Sequence, residues 1–592
     1  MEREKLPIKF FAPRDIDELR IEGSGTSEKP KWVLSGQELK NRAEYLSDSL
    51  NTIETIMEKR KDSPVPFSFI ARIQEDATAK SKRKDIANFF QVKEMSSVIG
   101  LTATNKLIVS FDSLSEFGKI SERLKDCTNN DYAISCITDF EEFLPNVYEA
   151  EESCNYKIKL IDYQNYEQNL VMRRLLEHTL NNKKIEYNKT DYSEKFYVYK
   201  LKNVTNAMLD ELKEADIFNA LFSVEPMPKY VISLDFLEED DDIPIKKPDS
   251  EKNYMTIGIL DNGIETIPHL KPWIDIERWS PYPESSINPT HGTFVAGIAL
   301  YGDECEGKGW VGHKGIKLFD AAVFPDNSKE GLDEDELIAN IKEAVKLYNE
   351  QVKIWNLSIS ITRPVSDNKF SDFAIALDAL QDEYNVLICK SAGNCRNFES
   401  SRPKGRVHEG ADSIRSLVVG SFAHKKGTYD YAEVNDPSPF SRVGPGPEFI
   451  IKPEVSHYGG NAGVDPLGNT VTTGVKSFAK DGTLAQGVGT SFSTPRITAL
   501  AAGIQQELSE DFDPLLLKSL ITHSASYPRE MTVPSIERAK QVGFGLPKSV
   551  SEIIYNSPYE ATLILRDNLA KGDKILKLPT LKMGFAPCYE NK

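Results

Sequence analysis

The sequence has no apolar run that approaches the roughly 20 residues needed to cross a bilayer; a stretch such as ITALAAGI is far too short. It has no basic excess either. Its 72 Lys and Arg stand against 90 Asp and Glu, a formal net charge of −18. That balance argues against nonspecific nucleic-acid binding through a basic surface and reads as solubility. The opening MEREKLPIKFFAPRDIDELRIEG breaks its apolar run with charges and lacks the core of a secretory signal. Cysteine is scarce and unframed: seven residues, an odd number, at 127, 136, 154, 305, 389, 395 and 588. Scattered thiols suit a reducing compartment, so a cytoplasmic protein is expected, with no membrane and no nucleic acid among its partners. No phosphate-cradling Walker pattern is found.

What is present is a soluble globular composition, 40% hydrophobic and 27% charged, on 592 residues, enough for two to four domains. Residues 1–65 read as an accessory segment holding one amphipathic helix, Gln37 to Lys61, with Leu39, Leu46, Leu50, Ile53 and Ile56 at helical spacing. Residues 66–150 and 155–232 read as two copies of one βαββαβ plan. The first copy runs FSFIARI, KRKDIANFF, KLIVSF, LSEFGKISERL and YAISCI, the last as a strand. The second runs through the strand Lys157–Ile161, the helix NLVMRRLLEHTL, the strand Phe196–Leu201, the helix AMLDELKEADIF and the strand Ala220–Glu225. A charged stretch at 233–253, LEEDDDIPIKKPDSEKN at its heart, reads as an exposed linker. An α/β region follows at 254–550, and 551–592 reads as a short β extension whose ATLILRDNLAKGDKILKLP forms two strands and a turn.

Four short strings in the α/β region carry chemistry. Asp261 closes the apolar strand IGIL and precedes Asn-Gly; alone this would be a β-turn with a solvated acid. His291 opens the helix-like HGTFVAGIAL, and a lone histidine is more often structural. Ser491 lies in VGTSFSTPRITALAAGI, where Gly487 and Gly489 permit close backbone approach and Pro495 sits near the first helical turn. A serine at a helix N-terminus gains from the positive end of the dipole, but alone it is a common cap. Asn394 ends KSAGN, between base and nucleophile in sequence, where Asn beside Gly is otherwise a turn. Acid, base and hydroxyl in that order across one α/β region make a nucleophilic triad.

These strings resemble the subtilisin-like serine peptidases, from about Tyr254 to about Ser524. The resemblance implies a three-layer α/β fold with a mostly parallel sheet. It also implies a serine endopeptidase acting on a protein or peptide, with Asp261, His291 and Ser491 as triad and Asn394 in the oxyanion hole. WNLSIS resembles the strand that pairs with extended substrate, making Leu357, Ser358, Ile359 and Ser360 pocket candidates together with Ser391, Ala392 and Gly393. Departures are Pro268-His269 in reversed order, Phe294 in place of a second histidine, and Ser360 where the family commonly has glycine. VGFGLP at 542–547 resembles a string near the end of such domains. No cofactor is implied for the chemistry and no metal site is expected: Asp303, Glu304 and Glu306 read as a solvated acidic loop, with structural calcium left open.

The string DIFNALFSVEPMPKYV resembles the end of inhibitor-type propeptides, which are ferredoxin-like. Both N-terminal copies are therefore expected to be ferredoxin-like units, the second an inhibitor; an ordinary recognition domain is the alternative. The long N-terminal region and its FFAP…GSG opening resemble bacterial cytoplasmic subtilases encoded beside an AAA-type ATPase in antiviral-defence or plasmid-maintenance loci. An ATPase partner is the expectation this carries. Two rivals stay open: a subtilase-fold binding module with a permanently filled cleft, and a secreted maturation protease.

Overall fold

The computed structural model describes residues 6–10, 19–22, 31–74, 83–92, 97–103, 105–150, 152–231, 236–239, 243–326, 331–361, 363–508, 510–556, 562–564 and 573–576. They fall into two compact units, one spanning Trp32–Val550 and one joining Met1–Lys31 to Ser551–Lys592. In the second of these, Leu6–Pro7 pairs antiparallel with Tyr555–Asn556, Lys9–Phe10 parallel with Leu563–Ile564, and Leu19–Glu22 antiparallel with Asp573–Leu576. Among the described residues, the two strands expected near the C-terminus therefore pair with the N-terminal segment and not with each other. A two-stranded hairpin is marginal by itself, and short strands gain from any partner that satisfies their backbone groups. The accessory segment expected at 1–65 is accordingly divided: its first part joins this unit and its helix belongs elsewhere.

That helix, Gly36–Lys59, buries Leu39, Ala43, Leu46, Leu50, Ile53 and Met57 in one stripe against a first sheet. The sheet is antiparallel, in the order Val98–Ala103, Lys106–Phe111, Phe67–Ile73 and Ile137–Glu142. Phe69 sits at its centre, with Phe90, Phe111, Phe117 and Phe140 all within 6.4 Å between ring centroids. YAISCI, expected as a strand, is mostly helix: Asp131–Cys136 is helical and the strand starts at Ile137. Ala133, Ile134, Ser135 and Cys136 are all buried, so no alternation marks either period. The Ser135 hydroxyl donates to the Asp131 carbonyl 2.6 Å away, closing the turn.

A second sheet orders Tyr187–Ser193, Phe196–Val204, Cys154–Leu160 and Leu221–Pro226 antiparallel, with Asn146–Val147 added in parallel. Helices Tyr166–Asn182 and Asn206–Lys213 complete it. Ile70, Ile99 and Ile108 of the first sheet share one apolar cluster with Tyr156 and Leu201 of the second and Leu176 of helix Tyr166–Asn182.

The third sheet holds six parallel strands: Lys317–Ala322, Thr256–Asp261, Ile354–Leu357, Leu387–Ser391, Leu417–Phe422 and Val455–Tyr458. Leu260, Trp355, Leu357 and Ile388 face helices Glu334–Tyr348 and Asp372–Tyr384. Helix Thr490–Glu507 lies along the sheet, its Thr498 hydroxyl donating to Asn356 Oδ1 at 3.0 Å. Both faces are covered, which is why the strands read as unbroken apolar runs. Thr256–Asp261 connects onward to a strand on one side and the chain then returns to its other side. The switch point therefore lies at the carboxyl end of this strand, where α/β folds place their crevice.

The stretch 233–253 departs from the expected free linker. Phe236–Glu239 pairs antiparallel with Leu484–Gly487. Lys246 donates its N–H to the Tyr301 hydroxyl at 2.7 Å and its Nζ to the Leu300 carbonyl at 2.9 Å, while its carbonyl accepts from Trp273 Nε1 at 3.1 Å. A polar segment laid on a domain satisfies backbone groups on both sides.

Candidate active site

Asp261 is the last residue of its strand and fully buried; His291 is the second residue of helix Thr290–Glu306 and nearly so. His291 Nδ1 lies 2.8 and 2.9 Å from the two Asp261 carboxylate oxygens. The carboxylate also accepts the Asn262 N–H at 2.9 Å, and the Asn262 side chain accepts the Gly292 N–H at 3.0 Å. This brings the Asp-Asn-Gly turn hard against the helix start. A Cβ on residue 292 would lie 2.1 Å from the Gly263 carbonyl oxygen, so only glycine fits there.

Ser491 is the second residue of helix Thr490–Glu507 and partly exposed. The ring of Phe492 beside it lies 5.7 Å from His291 and 4.6 Å from Phe294, so the starts of the two helices meet. The Ser491 hydroxyl donates to the Ser358 carbonyl at 2.9 Å. In return the Ser358 hydroxyl donates to the Ser491 carbonyl at 3.0 Å. Pro495 explains the second bond. It stands sixth in the helix, beyond the first turn where it was expected, and it has no N–H to give Ser491 four residues back. The Ser358 hydroxyl fills that vacancy and ties the pocket strand to the helix.

Asn394 is exposed at the end of KSAGN, and its Oδ1 accepts from the Thr490 N–H at 2.9 Å and the Thr490 hydroxyl at 3.0 Å. With the oxygen held, Nδ2 is directed away from Thr490. A point one Cβ bond from Gly489 lies 3.1 Å from Asn394 Nδ2 and 3.6 Å from the Ser491 backbone nitrogen. Both nitrogens therefore lie near one point beside Ser491. Thr490 was not singled out in the sequence; the Gly-Thr-Ser string was the signal that could have marked it.

The pocket candidates fall on two segments, Leu357, Ser358 and Ile359 on one and Ser391, Ala392 and Gly393 on the other, all buried, with Leu357 and Lys390 in register on adjacent strands. The side chain of Ser360 lies outside those described; its backbone pairs with Val231. Lys229–Val231, from the end of the second N-terminal copy, is the middle strand between Leu332–Asp333 and Ser360–Ile361. Tyr230 is fully buried there, its ring 5.1 Å from Phe373.

The acidic residues expected as a loop after the histidine helix form its last turn, and they are not solvated throughout. The Asp303 carboxylate accepts the N–H groups of Trp310, Val311 and Gly312 at 2.8–3.2 Å. The Glu306 side chain is buried near Arg496 and His424. Backbone N–H groups and the buried Arg496 guanidinium take up charges that a short acidic string alone would leave to water. Asp320, beside Asp261 and Arg278, is pushed up to about 6 by burial despite the guanidinium.

No helix among the described residues is long and apolar enough to cross a membrane. Among curated proteins the chain is similar to the uncharacterized protein y4bN of Sinorhizobium fredii (strain NBRC 101917 / NGR234), 28% identical over 250 residues. The match covers 36% of this chain and 57% of that protein, so the chain spans just over half the length of this relative. Solved structures that align include the epidermin leader peptide processing serine protease EpiP from Staphylococcus aureus, 14% identical over 70% of this chain and 100% of that one, TM-score 0.43. The patellamide maturation protease PatA aligns at 20% identity over 50% and 95%, TM-score 0.36. A cold adapted subtilisin-like serine proteinase aligns at 18% over 50% and 88%, TM-score 0.34. The Peptidase S8 model, described as the subtilase family, matches residues 252–548, half of the chain and all of the region that carries the four strings. The chain belongs to the subtilase family.

Proposed function

We propose that this protein is a serine endopeptidase in which Asp261, His291 and Ser491 act as acid, base and nucleophile and Asn394 donates to the oxyanion. The buried Asp261–His291 pair, 2.8 Å apart, carries the reading. A carboxylate on Nδ1 fixes the tautomer that leaves Nε2 able to accept a proton, and it stabilises the imidazolium that results. In the reaction the Ser491 hydroxyl leaves the Ser358 carbonyl, gives its proton to His291 and attacks the scissile carbonyl carbon. The oxygen that gains charge takes hydrogen bonds from Asn394 Nδ2 and the Ser491 N–H. Collapse breaks the C–N bond as His291 protonates the leaving amine, and water then releases the acyl group by the same route reversed.

The N-terminal region is read as two ferredoxin-like units, supported by the strand order their sheets share, the second an inhibitor. Lys229–Val231 takes a middle place beside the pocket strand, as extended substrate would by strand addition. Phe236–Glu239 pairs with the strand that leads into Ser491. The chain's own segment thus flanks the nucleophile on both sides, which supports an enzyme held quiet until that segment is cut or displaced. The layout that resembles ATPase-linked subtilases supports an ATPase as the displacing partner, with a role in antiviral defence. The same flanking strands, and a Ser491 hydroxyl bonded to Ser358, favour the second reading, an occluded binding module.

Fluorophosphonate labelling of the full chain beside Ser491→Ala, read by intact mass, separates the two. One probe on wild type and none on the variant is expected once the stretch 233–253 has been cut; a wild type still unlabelled after that cut would make the occluded module the better account. Asn394→Ala is expected to slow labelling, in line with the about 2.7–4 kcal/mol that one such donor supplies in subtilisin itself.

A further inference from the structure

Three basic groups gather at the two segments that would wall the pocket for the residue before the scissile bond. Lys390 is fully buried between its two walls: Nζ donates to the Ile359 carbonyl at 2.6 Å on one side, and to the Ser391 carbonyl at 3.0 Å and hydroxyl at 3.2 Å on the other. All three acceptors are uncharged. The acid that favours its charge is Asp412, whose carboxylate is occupied by the Ser371 N–H and hydroxyl, both at 2.6 Å, and the Gly410 N–H at 2.9 Å.

His408 reaches the same wall from another loop. Its N–H donates to the Ala392 carbonyl at 3.2 Å, and its Nδ1 sits 2.4 Å from where a Cβ on Gly393 would be. Gly393 holds a φ of +100°, so glycine is required there twice over. His408 is 4% exposed and neither ring nitrogen has a hydrogen-bond partner. A buried imidazole without a partner is costly unless a ligand completes it. Arg442 adds a third basic group, its Nε donating to the Asn394 carbonyl at 2.9 Å and its Cδ packing against Gly393. The charges facing His408 are those of Lys390 and Arg442, both positive.

We propose that this pocket selects a carboxylate side chain at the P1 position of the substrate, Asp or Glu, with His408 donating to the carboxylate and Lys390 neutralising it from behind the walls. The inference rests on the peptidase reading of Ser491. A carboxylate supplies the acceptor that His408 lacks and the counter-charge that Lys390 lacks. An apolar side chain supplies neither and leaves the imidazole unpaired. Sites built to hydrogen-bond a substrate group reject analogues without it far more strongly than apolar pockets discriminate by size.

The test uses the full chain and peptidyl diphenyl phosphonates of one sequence with Glu, Asp, Leu or Phe at P1, following Ser491 modification by intact mass, with a fluorophosphonate as control. Glu or Asp is expected to react at least about tenfold faster than Leu or Phe. His408→Gly and, separately, Lys390→Met are expected to bring that ratio towards one; using both keeps the test alive if one variant folds poorly. A chain that the fluorophosphonate labels, but that reacts equally or faster with Leu or Phe, overturns the proposal. So does one in which no peptidyl phosphonate reacts even after the stretch 233–253 has been cut, because the pocket then admits no side chain. Failure of the fluorophosphonate itself overturns the peptidase reading and the pocket assignment with it.

Discussion

Lys157 and Lys390 are both wholly buried, and they settle their charge in opposite ways. Lys157, on the second N-terminal sheet, meets Asp372 at 2.8 Å and Glu334 at 2.9 Å. Its neighbour Lys159 meets Asp372 at 3.0 Å, and Lys200 meets Asp333 at 2.7 Å. These acids stand at the N-terminal ends of the two catalytic-region helices, where the helix dipole also favours negative charge. The acids hold Lys157 charged well above the usual lysine range, while the lysines hold Asp372 well below the usual carboxylate range, each against its own desolvation. Lys390 has only uncharged acceptors within reach, and burial brings it down to about 7. A buried charge that already has its partners joins two parts of the fold. A buried basic group without one is disposed to take a ligand.

Breaking the first arrangement should have the largest effect. Asp372→Asn leaves Lys157 and Lys159 short of the anion they share, and a loss of about 3–5 kcal/mol in stability is expected from urea unfolding. The sign with pH follows from the depressed folded value. The contribution of Asp372 is present above its unfolded value near 3.8 and is lost as pH falls through the folded one, so acid unfolding should steepen in wild type and flatten in the variant. A change under about 1 kcal/mol would mean that Glu334 and Glu225 suffice without it.

The second arrangement predicts a rise of stability with pH as well, but in an alkaline window in place of an acid one. Between about pH 7 and 10.5 the unfolded chain holds a proton on Lys390 that the folded chain has released, so stability should rise with pH across that window. Lys390→Met is expected to remove this slope, measured by urea midpoints at pH 7, 8.5 and 10; an unchanged slope would show that Lys390 is not its source. The smallest effect belongs to an exposed pair on the same N-terminal sheet, Lys202–Glu186 at 2.7 Å. Glu186→Gln should cost less than about 1 kcal/mol and vanish in high salt. A larger cost would blur the contrast between buried and exposed ion pairs.

Much of the site was legible because its residues sit at ends that short strings encode. An apolar strand closing on Asp261, small residues after His291 and glycines before Ser491 are local requirements of strand ends and helix starts. The βαββαβ succession was legible too, because hydrophobic period changes at each element. YAISCI was misread because a segment buried on all sides has no period to show. The acidic loop was misread because its partners come from elsewhere: Trp310 and Gly312 in the following turn, Arg496 on the serine helix and His424 on another loop. The terminal strands were assigned to one hairpin, and nothing local could reveal that their partners lie at the far end of the chain.

By itself the sequence determined the order Asp261, His291, Ser491, most of the succession of strands and helices, and the family to which the chain belongs. Only the tertiary structure decided that Lys159 would find Asp372, 213 residues away, that Lys229–Val231 would lie beside the pocket strand, and that His408 would press on Gly393. The reason is physical. Period, caps and turns are set by neighbours a few residues apart, whereas a buried charge or an unpaired imidazole acquires its meaning from whatever packing brings to it.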